Sequence, residues 1–146
     1  MGELLRRTRG GVAVTMTGAD RFKLGFAAPH VTGRLGYLRA LPDNMSTLLV
    51  RSSPVHPGLD YAEEPDDRPG HRGDALHIYD DDGGLGGFAE MEAPGTPADL
   101  GFDGSRRPTT DRFTTWWFRG PTANIAEIVR QLVHMEPSLL DEGDRR

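Results

Sequence analysis

The chain has no cysteine, a single lysine and no long apolar run. The lack of cysteine excludes a disulfide-bonded protein, and the lack of a long apolar run excludes a membrane-spanning helix. Without cysteine there are no disulfides and no thiol chemistry, which fits a cytoplasmic protein. No stretch approaches the ~20 apolar residues that a membrane-spanning helix needs. The basic residues near the N-terminus precede no sustained apolar run, so this segment does not resemble a signal peptide. We therefore expect a soluble, cytoplasmic protein with no membrane partner.

The charge of the chain argues against nucleic acid as a partner. The net charge is −5, whereas surfaces that bind nucleic acid are basic. Lys23 is the only lysine among 17 basic residues, and we interpret this bias towards arginine as a property of GC-rich coding. The composition therefore gives no support for a role in binding nucleic acid or phosphate.

Short runs of alternating polar and apolar residues predict a mainly β chain. Glycine (19 residues) and proline (11 residues) stand between these runs as turn residues and do not form a low-complexity tract. Residues 18–20 are predicted to join the first two strands as a hairpin-like turn. Short strands separated by turns predict an antiparallel β-sandwich or barrel. The predicted strands cover residues 11–17, 21–27, 34–39, 46–52, 75–79, 87–92 and 112–118.

One segment near the C-terminus has the periodicity of a helix. Apolar residues at i, i+3, i+4, i+7 and i+8 predict a helix over about residues 122–135: Ile125, Ile128, Val129, Leu132 and Val133. Pro121 suits the first turn and Pro137 ends the run. We expect this helix to pack on its own sheet. The length of the chain predicts one sandwich domain over residues 1–140, followed by a disordered tail at 141–146.

Two carboxylates share one face of the strand predicted within residues 86–95. Alternation places Phe88, Glu90 and Glu92 on one face, with Ala89 and Met91 on the other. A solvated strand face explains this pattern, because carboxylates are mostly exposed. A general base at one of the two positions explains it as well. From this segment alone, the solvated face is favoured over the general base.

The aspartate run at residues 80–82, followed by two glycines, is either a Ca²⁺ site or an acidic turn between strands. It lacks the alternating spacing and the terminal glutamate of an EF-hand loop, so the turn is favoured. The five histidines form no HxH or HExxH arrangement, so no metal site is predicted. His77 lies in a predicted strand and faces either a cleft or the core.

The aromatic run at residues 116–118 places alternate rings on opposite faces of a strand. Trp116 shares a face with Phe118, and Trp117 lies on the other face with Arg119 at its end. One face is expected to pack in the core, and the other offers a stacking platform for a sugar. No phosphate-binding glycine loop, Ser-His-Asp signature or nucleophile elbow accompanies these residues.

Together, these segments resemble the C-terminal end of the aldose 1-epimerases, also called galactose mutarotases. The matching pieces are Met91-Glu92-Ala93, a proline-containing loop and residues 111–118, which end in Thr-Thr-Trp-Trp-Phe. In that family the glutamate is the base that deprotonates the anomeric hydroxyl, so the resemblance implies Glu92 as the catalytic residue. It implies no metal or nucleotide cofactor. The residues then predicted to bind the substrate are Glu90, His77, Trp116, Trp117 and Arg119.

A wider resemblance covers most of the chain. The C-terminal half of an uncharacterised bacterial family, itself similar to the mutarotases, resembles residues 22–25, 35–37, 60–61, 73–81 and 87–92. It implies a galactose-mutarotase-like β-sandwich, of which this chain would be about half. The general-acid histidine of the mutarotases and most of their other substrate-binding residues match no position here. The resemblance therefore implies a carbohydrate-binding, mutarotase-like protein that is incomplete or catalytically weak, and a chain that is a fragment or a reduced domain.

A half sandwich would leave sheet edges exposed. Because such edges invite pairing with another chain, we expect a homodimer or a partner chain that completes the sandwich. The alternative is a non-catalytic structural or interaction domain that keeps the fold without the chemistry. The missing acid histidine favours this alternative.

Overall fold

A computed structural model of the protein describes residues 5–61, 72–95 and 110–137. Strands hold 45% of these residues and helical turns 14%, about twice the strand content of an average globular domain. The strand pairs with a determined register are all antiparallel. The prediction of a mainly β, antiparallel fold with one C-terminal helix is confirmed. The tail predicted at 141–146 lies outside the described residues.

The order of elements agrees closely with the predicted strands. Each of the seven predicted strands has a counterpart among β2 to β8, whereas β1 was not predicted because it holds one apolar residue in four. The strands are β1 (Leu5–Thr8), β2 (Gly11–Val14), β3 (Phe22–Ala27), β4 (Arg34–Leu41), β5 (Met45–Ser52), β6 (Asp74–Asp80), β7 (Ala89–Glu92) and β8 (Thr114–Pro121). A 3₁₀ turn (Ala28–His30) follows β3, and helix α1 (Thr122–Ile128) continues as a π-helical turn (Val129–Val133). Within the described ranges, no helix is both long and apolar enough to cross a membrane.

The predicted hairpin between β2 and β3 is wrong. β2 pairs with β1, and β3 pairs with β6. The backbone N–H groups of Thr17 and Gly18 donate hydrogen bonds of 2.9 and 3.0 Å to Asp80 Oδ2. The buried carboxylate of Asp80 therefore satisfies these two N–H groups, which do not pair across a β2–β3 hairpin. The turn at residues 18–20 is therefore tied to the end of β6.

The chain forms two compact units. Unit 1 comprises Met1–Met16, Arg34–Arg51 and Thr115–Arg146, and unit 2 comprises Thr17–Gly33 and Ser52–Thr114. Unit 1 contains the β1-β2 pair, the sheet β4-β5-β8 and the helix, and unit 2 contains the sheet β3-β6-β7. A single sandwich domain over residues 1–140 stays a prediction.

In unit 1 the helix packs on its own sheet through the predicted apolar face. Leu48 and Val50 of β5 form a buried cluster with Ile125 and Val129 of the helical segment. Partly buried apolar side chains surround this cluster: Leu38, Phe118, Ile128, Leu132, Val133 and Met135. Burial of one helix face against one sheet face therefore stabilises this unit.

The first turn of the helix is fixed to the hairpin between β4 and β5. The Thr122 N–H donates a 2.9 Å hydrogen bond to the Asn44 carbonyl, and the Thr122 hydroxyl lies 2.9 Å from the Ser46 hydroxyl. Asp43 and Asn44 adopt positive φ angles of 60° and 55°, which these two residue types tolerate in tight turns. Pro121 occupies the position just before the helix, where its missing N–H costs no hydrogen bond.

Candidate functional site

The sheet of unit 2 brings the predicted carboxylates onto one polar face. β6 lies between β3 and β7, and directly paired residues on neighbouring antiparallel strands share a face. Two rows of cross-strand partners build this polar face: Lys23–Tyr79–Glu90 and Gly25–His77–Glu92. The row between them points to the opposite, apolar face: Leu24, Ile78 and Met91. Three predicted site residues, Glu90, Glu92 and His77, are therefore neighbours.

Glu92 contacts two other side chains of the polar face. Its Oε2 lies 3.0 Å from Lys23 Nζ and 3.7 Å from His77 Nδ1. The Glu92 and Lys23 side chains are 30% and 39% exposed, whereas His77 is only 4% exposed. Glu92 is thus partly open to a ligand, and His77 is its buried neighbour.

Lys23 is a member of this face that sequence reasoning missed. Its position in β3, alternating with Phe22 and Leu24, does predict a polar side of that strand. The pairing of β3 with β6 was not predicted, so nothing connected Lys23 with Glu92. The available signal was compositional, because the only lysine of an arginine-rich chain is the one that reaches Glu92.

Gly25 leaves room for a third carboxylate on the polar face. A Cβ atom on Gly25 would run into the Asp74 carboxylate. Because Gly25 is the cross-strand partner of His77, the Asp74 carboxylate lies over the same row of the sheet. Asp74 pairs with Ala27 beyond a shift in register, which places its side chain differently from a regular strand residue.

Glu90 lies in the row next to Glu92 and is more exposed. Its partner Tyr79 packs against Phe88, with ring centroids 5.6 Å apart and planes inclined by 38°. Burial acts to raise the pKa of Tyr79, and the hydrogen bond from its hydroxyl to Asp81 adds to this effect against the opposing charge of Arg21. The Tyr79 hydroxyl therefore stays protonated and donates a hydrogen bond to Asp81.

The aspartate run forms an acidic turn between β6 and β7, as the sequence favoured. The Asp81 carboxylate is fully buried. Its Oδ2 accepts hydrogen bonds from three backbone N–H groups: Gly83 at 2.9 Å, Leu85 at 3.0 Å and Gly87 at 3.1 Å. Its Oδ1 accepts from the Tyr79 hydroxyl at 3.2 Å and from Arg21 at 3.3 Å. Both oxygens are therefore engaged by the turn and its neighbours.

Asp81 should make the turn sensitive to acid. Burial acts to raise the pKa of Asp81, but hydrogen bonds from Leu85, Gly87, Tyr79 and Gly83 outweigh it and hold the pKa below its ordinary value. The stabilisation is therefore complete above the unfolded-state pKa of about 3.9 and is lost as the pH falls through the lower folded-state pKa. In thermal unfolding followed by circular dichroism, Asp81→Asn should be less stable than the wild type at pH 6. That difference should shrink below about pH 3.9.

The neighbouring Asp82 provides the control for this prediction. Its side chain is 42% exposed, although it also caps a backbone N–H, that of Gly84, at 2.9 Å. Asp82→Asn should therefore change the acid limb of the stability profile much less than Asp81→Asn. If both variants change the acid limb equally, the acid sensitivity does not come from the burial of Asp81 or from the three backbone N–H groups that donate to it.

The remaining predicted site residues lie in unit 1 and not in the unit that carries Glu92. On β8, Phe118 packs against the core, and Trp116 shares its side of the strand by alternation but is 37% exposed. Trp117 and Arg119 lie on the other side, and Trp117 is 74% exposed. Of the two tryptophans, Trp117 therefore offers the open ring for stacking.

A shallow pocket of about 240 Å³ in unit 1 contains none of the predicted site residues. It lies beside the end of the helical segment and is lined by Arg9, Arg130, His134, Met135 and Glu136. Arg130 is paired with Glu136 at 3.3 Å and with Glu127 at 3.1 Å. Arg130 and Glu136 of the lining are therefore already paired with each other.

Comparisons with known proteins gave no relative for this chain. No family model, no curated protein and no solved structure matches it. In the part of the chain that the structure describes, no group of three or more histidine, aspartate or glutamate side chains is arranged to hold a metal ion. The candidate site is the polar face of the unit 2 sheet, where Glu92 lies beside Lys23 and His77.

Proposed function

We propose that this protein binds a carbohydrate at the polar face of the β3-β6-β7 sheet, with Glu92 as the carboxylate that accepts the proton of the anomeric hydroxyl. The proposal is mutarotase-like and rests on the resemblance around Glu92. The observation that carries it is the contact geometry of Glu92, which is partly exposed, pairs with Lys23 and lies 3.7 Å from the buried His77.

The chemistry that this face can supply is general-base catalysis. A carboxylate that accepts the proton of the anomeric hydroxyl promotes ring opening, but the ring oxygen must also receive a proton, and without a positioned acid that proton comes from water. His77 is buried against Glu92, so it does not take the role of the acid. Binding is therefore the principal activity that we propose, and turnover is slow.

The proposal concerns unit 2 alone. Trp117 and Arg119 belong to unit 1, and binding at Glu92 does not depend on them. An exposed tryptophan next to an arginine is suited to stacking against a sugar ring in its own right, since Trp offers a large apolar face. The two surfaces are tested separately by substitutions at Glu92 and at Trp117.

A sugar panel tests the proposed binding. Galactose or glucose at millimolar concentration should raise the melting temperature of the wild type, because a ligand that binds only the folded state stabilises it. Glu92→Gln should lose most of this shift. Glu136→Gln, which also removes an ion-paired carboxylate but lies in the other unit, should keep it. Equal shifts for all three proteins would refute a role for Glu92.

A non-catalytic interaction domain is the second candidate function. The observation that favours it is the exposure of Trp117 on β8, a large apolar side chain that is 74% exposed. We propose that Trp117 contacts a second copy of the chain or another protein. The same panel decides between the two functions: no melting shift with any sugar, together with a dimer in sedimentation equilibrium, would favour this second function.

A further inference from the structure

The ammonium group of Lys23 already occupies the position beside Glu92 that a ligand cation would take. Lys23 lies on β3 and Glu92 on β7, with β6 between them. Neighbouring strands are about 4.8 Å apart, so the ion pair reaches over about 10 Å of sheet. The ion pair therefore passes over the central strand. It ends beside the ring of His77, because Glu92 Oε2 lies within 4 Å of both Lys23 Nζ and His77 Nδ1.

The ion pair can open at little cost. Both side chains are about one-third exposed, and exposed Lys–Glu pairs contribute only about 0–1 kcal/mol. Lysine carries a compact charge on a flexible stem, unlike the rigid fork of arginine. A second ammonium group can therefore replace that of Lys23 at Glu92 without disturbing the sheet.

The charge around this face favours a cation. Among the described residues, unit 2 has nine acidic and four basic side chains, a net charge of −5, whereas unit 1 has eight basic and three acidic side chains, a net charge of +5. On the face itself, Lys23 stands among three carboxylates, those of Asp74, Glu90 and Glu92. A positively charged ligand is attracted by this field, and a negatively charged one is repelled.

We propose that the polar face of unit 2 selects amino sugars, whose ammonium group replaces that of Lys23 as the partner of Glu92. This inference rests on the proposed sugar binding and adds the class of sugar. Lys23 is then an internal competitor that occupies the site when no ligand is present. The displaced side chain swings to solvent, where its charge is hydrated.

Calorimetric titration at pH 6 with four probes tests the proposal. Glucosamine carries both the ring and the charge, glucose and N-acetylglucosamine carry the ring alone, and ethylammonium carries the charge alone. Glucosamine should bind several-fold more tightly than each of the other three. Equal affinity for glucose and glucosamine would overturn the inference and leave the proposed sugar binding standing. Ethylammonium binding as tightly as glucosamine would overturn it as well.

Removing the internal competitor gives a sharper test. Lys23→Met keeps the apolar stem, and it should raise the affinity for glucosamine by up to about fivefold, the equivalent of a 1 kcal/mol ion pair. The affinity for glucose should not change. Arg21→Met removes a basic side chain of the same unit that pairs with Asp81 and Asp82, and it controls for the change in overall charge.

The outcomes separate this inference from the proposed function. A lower affinity for glucosamine in Lys23→Met would mean that Lys23 binds the sugar directly, and it would overturn the role as competitor. An equal gain in glucosamine affinity in Arg21→Met would show that the gain comes from the change in overall charge. That result would also overturn the role of Lys23 as competitor. No binding of any sugar to the wild type would refute the proposed function, and with it this inference.

Discussion

Replacing Ile125 by alanine should lower the free energy of unfolding of unit 1 by about 2–5 kcal/mol. Ile125 is 2% exposed and lies in the buried cluster formed by the helix and β5. The substitution removes buried apolar surface and leaves a cavity that the sheet can fill only in part. Urea unfolding followed by tryptophan fluorescence measures this change, because both tryptophans of the chain lie on β8 in unit 1.

The control for this prediction lies on the same helix. Ile128 packs against the rim of the cluster and is only partly buried, so Ile128→Ala should cost clearly less than Ile125→Ala. Equal losses for the two variants would show that the helix is held by helix propensity or by its first turn. They would contradict a helix that is stabilised by burial of one face against Leu48 and Val50.

Glu92→Gln should remove any acceleration of mutarotation that the protein produces. A positioned base contributes about 10²–10⁴-fold to proton transfer, and we expect the lower end because the acid partner is missing. Glutamine keeps the size and the hydrogen-bonding oxygen but cannot take up the proton. Polarimetry of freshly dissolved α-glucose and α-galactose measures the rate for the wild type, for Glu92→Gln and for protein-free buffer.

Two control variants show whether a change in the mutarotation rate is specific to Glu92. Glu136→Gln should retain the rate of the wild type, because Glu136 is exposed and pairs with Arg130 in the other unit. Glu90→Gln distinguishes the two carboxylates of the polar face and should have a smaller effect than Glu92→Gln. Equal rates for the wild type and Glu92→Gln, both above that of buffer, would remove Glu92 from the chemistry.

Most strands and the helix could be predicted from the sequence because the patterns that predict them depend only on residues nearby in the chain. Alternation along residues 21–27 and 46–52, and the 3.6-residue period of the helix, depend only on neighbours along the chain. β1 was missed for the same reason, since Leu5–Thr8 has no alternation and is defined by its pairing with β2. Pairing between distant strands leaves no such local pattern.

The candidate site could be predicted only in part, because it depends on the pairing of β3 with β6, which are distant in the sequence. Alternation alone placed Glu90 and Glu92 on one face, but the neighbour of Glu92 comes from β3, about 70 residues earlier. The turn after β2 suggested a hairpin, and the buried carboxylate of Asp80 overrode that local preference. Lys23, Gly25 and Asp74 joined the site only through the register of β3 with β6.

The location of a bound sugar tests the central claim most directly. A crystal structure of the protein with galactose or glucosamine should show the anomeric hydroxyl or the ammonium group within about 3 Å of the Glu92 carboxylate. Lys23 Nζ should then have moved away from its 3.0 Å contact with Glu92 when the ligand is the amino sugar. A sugar found only against Trp117, with the Lys23–Glu92 pair intact, would contradict the account.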